Sequence, residues 1–136
     1  MAITLNWDSK FEIGHERIDD EHRIFLGLIR DLSNEASPEG DRTRATRLLL
    51  EIYKYADFHF VSEENVMADI AYPELDAHRR LHLALLAELR DCMFRFRSAD
   101  GTAEQAVEFL FTWFALHTTR EDKRIADYIA TGATAS

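Results

Sequence analysis

Four stripes of apolar residues at helical spacing run along the chain, and each of them carries histidine. Ile18, His22, Phe25, Ile29 and Leu32 make the first, and Ala45, Leu48, Ile52, Ala56, His59 and Glu63 the second. Leu75, His78, His82, Leu85, Leu89, Met93 and Phe96 make the third. Ala106, Leu110, Trp113 and His117 open a fourth that runs towards Ile129. Steps of three and four residues put each set on one face of an α-helix. With 5 glycines and 2 prolines in 136 residues, the chain has too little turn punctuation for a β-rich fold of its length. What punctuation there is falls between the stripes, at Ser37-Pro38-Glu39-Gly40, Tyr72-Pro73 and Asp100-Gly101. Pro73 is expected inside the first turn of the third helix, where proline is tolerated. Thr102 and Gln105 form a capping box that starts the fourth. Helices joined by short connections predict an all-α, antiparallel up-down-up-down four-helix bundle over residues 18–130. An N-terminal arm, residues 1–17, would lie across it, anchored by Trp7, Phe11 and Ile13, and the tail from Ala130 would fray. The length fits one domain, 1–136.

Composition narrows the partners. Hydrophobic residues at 46% supply a core, and 16 basic against 25 acidic residues leave a net charge of −9. That charge argues against nucleic acid and against an anionic membrane, both of which reward a basic patch. One cysteine, Cys92, permits no intrachain disulfide. No apolar run reaches the ~20 residues of a membrane span, and the N-terminus lacks the basic start and apolar stretch of a signal peptide. The expectation is a cytoplasmic protein. Without a long apolar outward stripe, a monomer is expected.

Five of the six histidines, with Glu63, occupy inward positions where a bundle would place leucine. Burying them without partners costs several kcal/mol, so the core must hold something that compensates. His59 and Glu63, and His78 and His82, are four residues apart and stack on one face, ready to present two donors to one ion. Asp122 follows His117 by five, which turns it ~140° away on an ideal helix, so it joins the group only if it reaches across or the helix is locally distorted. His15 fits no stripe and is expected at the surface. Glu12 and His15 make a Glu-x-x-His outside any helix, read as chance. Glu64 points away from its stripe, and solvent is its default. Five imidazoles exceed the needs of one tetrahedral ion and imply two metals. Two octahedral ions offer about twelve positions, of which five histidines, two bridging carboxylates and one bridging oxide or hydroxide fill about eleven. Imidazole with carboxylate suits iron, with zinc, manganese and cobalt still open.

These residues resemble the hemerythrin family in its single-domain bacterial form. The resemblance is carried by Ile18-Asp19-Asp20-Glu21-His22, by His59-Phe60-Val61-Ser62-Glu63-Glu64 followed by Met67, by Tyr72-Pro73 leading to His78-x-x-x-His82, and by Trp113-x-x-x-His117-x-x-x-x-Asp122. It implies a non-haem di-iron centre, oxo- or hydroxo-bridged, that binds O₂ reversibly. It assigns His78, His82 and His117 to one iron and His22 and His59 to the other, which keeps an open position. Glu63 and Asp122 bridge, which settles Asp122 where spacing alone did not. The implied role is O₂ storage, delivery or sensing rather than catalysis. The alternatives are a di-iron redox enzyme acting on peroxide or nitric oxide, and an iron-buffering protein. With no Gly-rich dinucleotide loop, reductase activity would need an external electron donor, and sensing would need a separate protein partner. The resemblance also makes Trp113, Phe114 and Thr118 the wall of the O₂ pocket. Thr118 departs from the family, which usually has isoleucine there; its hydroxyl either faces the pocket or bonds a backbone carbonyl one turn back.

Overall fold

The computed structural model describes residues 7–36, 39–98 and 101–132. The head of the expected arm, the first half of the Ser37–Gly40 loop, Asp100 of the expected turn and the last four tail residues lie outside them. Four long helices carry the fold: α1 (Glu16–Ser33), α2 (Arg42–Asp69), α3 (Leu75–Arg97) and α4 (Ala103–Leu116). The chain then passes through a π-helical segment, His117–Asp122, into a short α5 (Lys123–Asp127) and a second π turn, Tyr128–Gly132. Among the described residues there is no strand. α1 packs against α2 and α4, and α3 packs against the same two, which closes the four-helix bundle the stripes predict.

Two of the four long helices start on side-chain caps. The Asp41 carboxylate accepts from the Thr43 and Arg44 amides at 2.9 and 3.2 Å and caps α2. The expected capping box begins α4: the Gln105 amide donates to Thr102 Oγ1 at 3.1 Å and the Thr102 amide to Gln105 Oε1 at 3.0 Å. Pro73 is a correction to the sequence reading. It lies before α3 rather than inside it, in a turn closed by Leu75 N–H donating to the Tyr72 carbonyl at 3.3 Å. α2 ends in a Schellman-type turn, with Tyr72 N–H on the Met67 carbonyl and Ala71 N–H on Ala68, at 2.8 and 3.1 Å. The left-handed residue that this turn requires is Ala71, at φ 54°.

The core divides in two around the histidines. A larger cluster of Phe25, Leu26, Ile29, Leu49, Ile52, Leu89, Phe96 and Leu110 fills one end of the bundle. A smaller one of Ile13, Ile18, Val66, Met67, Tyr72 and Ile125 closes the other. The described part of the arm packs on the bundle. Ser9–Phe11 form a 3₁₀ turn, Phe11 is buried with its ring 5.1 Å from that of Phe114, and Asp19 accepts from the Ile13 and Gly14 amides at 2.8 and 3.2 Å. Gly14 makes this bend at φ +83°, a conformation a side chain would strain.

Candidate metal centre

All seven sequence-predicted ligands converge between the two core clusters. His22, His59, Glu63, His78, His82, His117 and Asp122 are each 7% exposed or less. They form two sets that share Glu63: Glu63 with His78, His82 and His117, and Glu63 with His22, His59 and Asp122. Within each set, one atom from every residue lies within 4.8 Å of all the others.

The carboxylates divide their oxygens between the two sides. Glu63 Oε1 lies 2.8, 3.0 and 3.8 Å from the Nε2 atoms of His78, His82 and His117, and Oε2 lies 3.4 and 3.9 Å from those of His59 and His22. Asp122 Oδ1 is 3.3 Å from His78 Nε2 and 3.1 Å from His117 Nε2, while Oδ2 is 3.2 Å from His22 Nε2. Three imidazoles face one side and two face the other, and each carboxylate spans both.

The π segment brings Asp122 into register. An α-helix carries residue i+5 well past residue i, whereas a turn closed by i→i+5 hydrogen bonds returns it to nearly the same face. Thr119 supports the distortion by donating its hydroxyl to the Ala115 carbonyl at 2.6 Å, a back-bond that bends helices.

The outer nitrogens are held from behind. His59 Nδ1 donates to Glu21 Oε1 at 2.8 Å, and Glu21 Oε2 accepts from Ser62 Oγ at 2.9 Å. His82 Nδ1 donates to Glu64 Oε2 at 2.8 Å, and Arg79 Nε donates to the other oxygen at 3.3 Å. His22 Nδ1 donates to the Phe11 carbonyl at 3.3 Å. These acceptors have no proton to give, so each ring carries its hydrogen on Nδ1 and a neutral ring turns its Nε2 lone pair inward. Glu64 is therefore a supporting group rather than the solvent-facing side chain its stripe position suggests. Glu21 and Ser62 went unassigned in the sequence, although both lie next to a ligand. His15 is half-buried rather than on the surface, with Nδ1 sealed from solvent. Among the described residues it joins neither set.

Lone pairs facing carboxylate oxygens need a proton or a metal between them. His22 Nε2, His59 Nε2, His117 Nε2, Glu63 Oε2 and both Asp122 oxygens are buried without a hydrogen-bond partner, although they lie 3.1–3.9 Å from one another. The atoms face common points rather than each other, which is the arrangement of a ligand set. Protons can stand in for metal here. Burial pushes the imidazoles of His59, His78 and His117 down, but the carboxylates outweigh it and raise them to about 9, about 9 and about 10. Glu63 is held well below its usual range despite its burial, by the surrounding imidazoles, His117 first. The donor set fits two cations that prefer imidazole and carboxylate.

A cavity of about 10 Å³ opens beside the two-histidine side, lined by His22, His59, Phe60, Trp113, Phe114 and Thr118 among others. That leaves room for about one water-sized molecule. Thr118 is 1% exposed, and its hydroxyl makes no hydrogen bond among the described residues.

Fold and site together define a class, that of helical bundles built around a buried histidine–carboxylate cluster. Within it, the chain belongs to the hemerythrin HHE cation-binding domain family, whose model matches residues 13–129. It is 26% identical over 129 residues to bacteriohemerythrin of Stenotrophomonas maltophilia, covering 95% of this chain and 83% of that protein. It is 31% identical over 84 residues to myohemerythrin of Theromyzon tessulatum, covering 62% and 64%. A crystal structure of wild-type hemerythrin superposes with a TM-score of 0.80 at 22% identity, over 93% of this chain and 97% of that one. Among the described residues no helix is long and apolar enough to cross a membrane.

Proposed function

We propose that the chain is a single hemerythrin-like domain that binds O₂ reversibly at a non-haem di-iron centre, acting as a carrier or sensor rather than as an enzyme. The observation that carries this reading is the division of Glu63 and Asp122, each with one oxygen towards the three-histidine side and one towards the two-histidine side. His78, His82 and His117 would hold one iron, His22 and His59 the other, with both carboxylates and an oxide or hydroxide bridging. Ferrous ions held by these residues would supply the electrons on which O₂ binding draws. The chain's own residues do the rest. Glu21, Glu64 and the Phe11 carbonyl fix the ring orientations of His59, His82 and His22. Phe25, Phe60, Trp113 and Phe114 keep the cavity over the less-ligated side apolar and free of bulk water. The family's relatives named as hemerythrins support the same reading.

Metal analysis and spectroscopy test it together. The purified chain is expected to hold two iron atoms, and the reduced protein cycled between air and argon to gain and lose a visible charge-transfer band. One zinc per chain, or no iron after reconstitution, would sink the di-iron reading. Rapid one-way conversion to the diferric form in air would sink reversible carriage.

A further inference from the structure

Every ligand atom of the centre is buried, so a metal ion has to cross protein to reach it or to leave. Among the described residues, an apolar cavity and a polar cleft both touch the ligands. The cavity beside His22 and His59 is walled by aromatic carbon, against which a hydrated dication would shed its water at prohibitive cost. The other opening is a cleft of about 220 Å³ between the start of α3 and the π segment. Its lining includes Tyr72, Glu74, His78, Glu121 and Arg124, and of the seven proposed ligands only His78.

His78 belongs to both places. It is 5% exposed, and its Nε2 lies 2.8 Å from Glu63 and 3.3 Å from Asp122. Its Nδ1 makes no hydrogen bond among the described residues and is not sealed from solvent, unlike the outer nitrogens of His22, His59 and His82, which are all engaged. Glu74 sits at the start of α3 without capping it, and Glu121 directly precedes the proposed bridging residue Asp122. Neither carboxylate is ion-paired or hydrogen-bonded among the described residues.

We propose that this cleft is the passage for divalent metal, with Glu74 and Glu121 taking the hydrated cation at its mouth and His78 forming the threshold to the centre. The proposal rests on the di-iron reading above. Oxygen donors suit a cation that still carries water, and imidazole takes over as water is lost. The two carboxylates outnumber the one opposing charge, the exposed Arg124, so the cleft attracts cations on balance.

Release of iron from the loaded protein tests this, because entry and exit share one barrier. The iron-loaded, reduced chain is mixed anaerobically with an excess of a ferrous-specific chelator, and the coloured complex is followed in time. Glu74→Gln and Glu121→Gln are each expected to slow release by about fivefold, because each removes a charge that stabilises the cation in transit. Arg124→Gln is expected to speed it. The Tm of the loaded protein should hold in all three variants, and the exposed control Glu51→Gln should release iron like the parent. The difference between parent and glutamine variants should shrink in high salt. A carboxylate that merely stabilised the bound state or the fold would give the opposite sign, faster release on its removal. Unchanged or faster release in both glutamate variants overturns the passage while leaving a two-iron centre intact. A parent chain that never holds two irons overturns the centre and the passage together.

Discussion

Thr118 carries the one hydroxyl in the lining of the cavity beside His22 and His59. Its neighbour Thr119 engages the Ala115 carbonyl, whereas Thr118 makes no such bond among the described residues. On the di-iron reading, a hydroxyl turned into this apolar wall would hold a water or a proton close to bound O₂, and that proton access would drive autoxidation to the diferric state. Thr118→Ile is expected to slow decay of the oxygenated protein's visible band by about fivefold at matched pH, roughly the worth of one neutral hydrogen bond. Equal decay, or slower decay with threonine, rejects the idea. The same scale separates ligands from bystanders. His82→Ala and Glu63→Ala should lose iron, and Glu64→Ala should weaken iron binding by about 10–100-fold through the loosened His82 ring. His15→Ala should keep its iron, and equal loss from all of these variants would contradict the assignment. The inward histidines were legible because each falls in phase with its helix's apolar residues. Glu64 was not, since a stripe reads one face of one helix and cannot show that Arg79 and His82 of α3 border the other.

At the scale of elements, the four long helices were legible for a related reason: their buried faces repeat every three to four residues, and few glycines or prolines interrupt them. The π segment was not legible, because its signature is a residue out of phase, which looks like a misfit until the turn widens. Asp122 is that residue. The entry to α3 was misplaced because proline suits both a first helical turn and the turn before it, and sequence alone does not choose between them. The end of α2 yields a prediction. Ala71 adopts a left-handed conformation at φ 54°, which costs an L-residue roughly 1–2 kcal/mol. Glycine avoids that strain but adds about 0.5–1 kcal/mol of unfolded-state entropy. Ala71→Gly should therefore stabilise the chain by about 0.5–1 kcal/mol, read as a Tm rise of a few degrees with iron content unchanged. A lower Tm would show that the alanine methyl contributes more than its strain costs.

Across the whole molecule, the centre replaces what would otherwise be the middle of a hydrophobic core. Metal that binds the folded chain alone stabilises it by mass action, about 4 kcal/mol for each site at a free concentration ~1,000 times its dissociation constant. Without metal, five imidazoles and two carboxylates face one another in a dry interior. Stripping iron with a chelator is expected to lower Tm by more than about 10 °C. An unchanged Tm would place the metal elsewhere. The arm is tied into the same arrangement. Phe11 offers its carbonyl to His22, and the Lys123 ammonium, one residue beyond Asp122, donates to the carbonyl of Glu12. Two neighbouring arm carbonyls are thus fastened to the two ends of the ligand set. On the di-iron reading, loss of the ions would free His22 to turn away from the Phe11 carbonyl, and the stretch around Lys10 would lose a fastening before the bundle melts. Limited trypsin digestion should cut after Lys10 in the stripped chain and spare it in the loaded one. Protection of that site in both forms would show that the arm is held independently of the centre. If the cut follows the metal, the N-terminal end reports cofactor occupancy to any protease the chain encounters, and empty copies can be cleared while they are still folded.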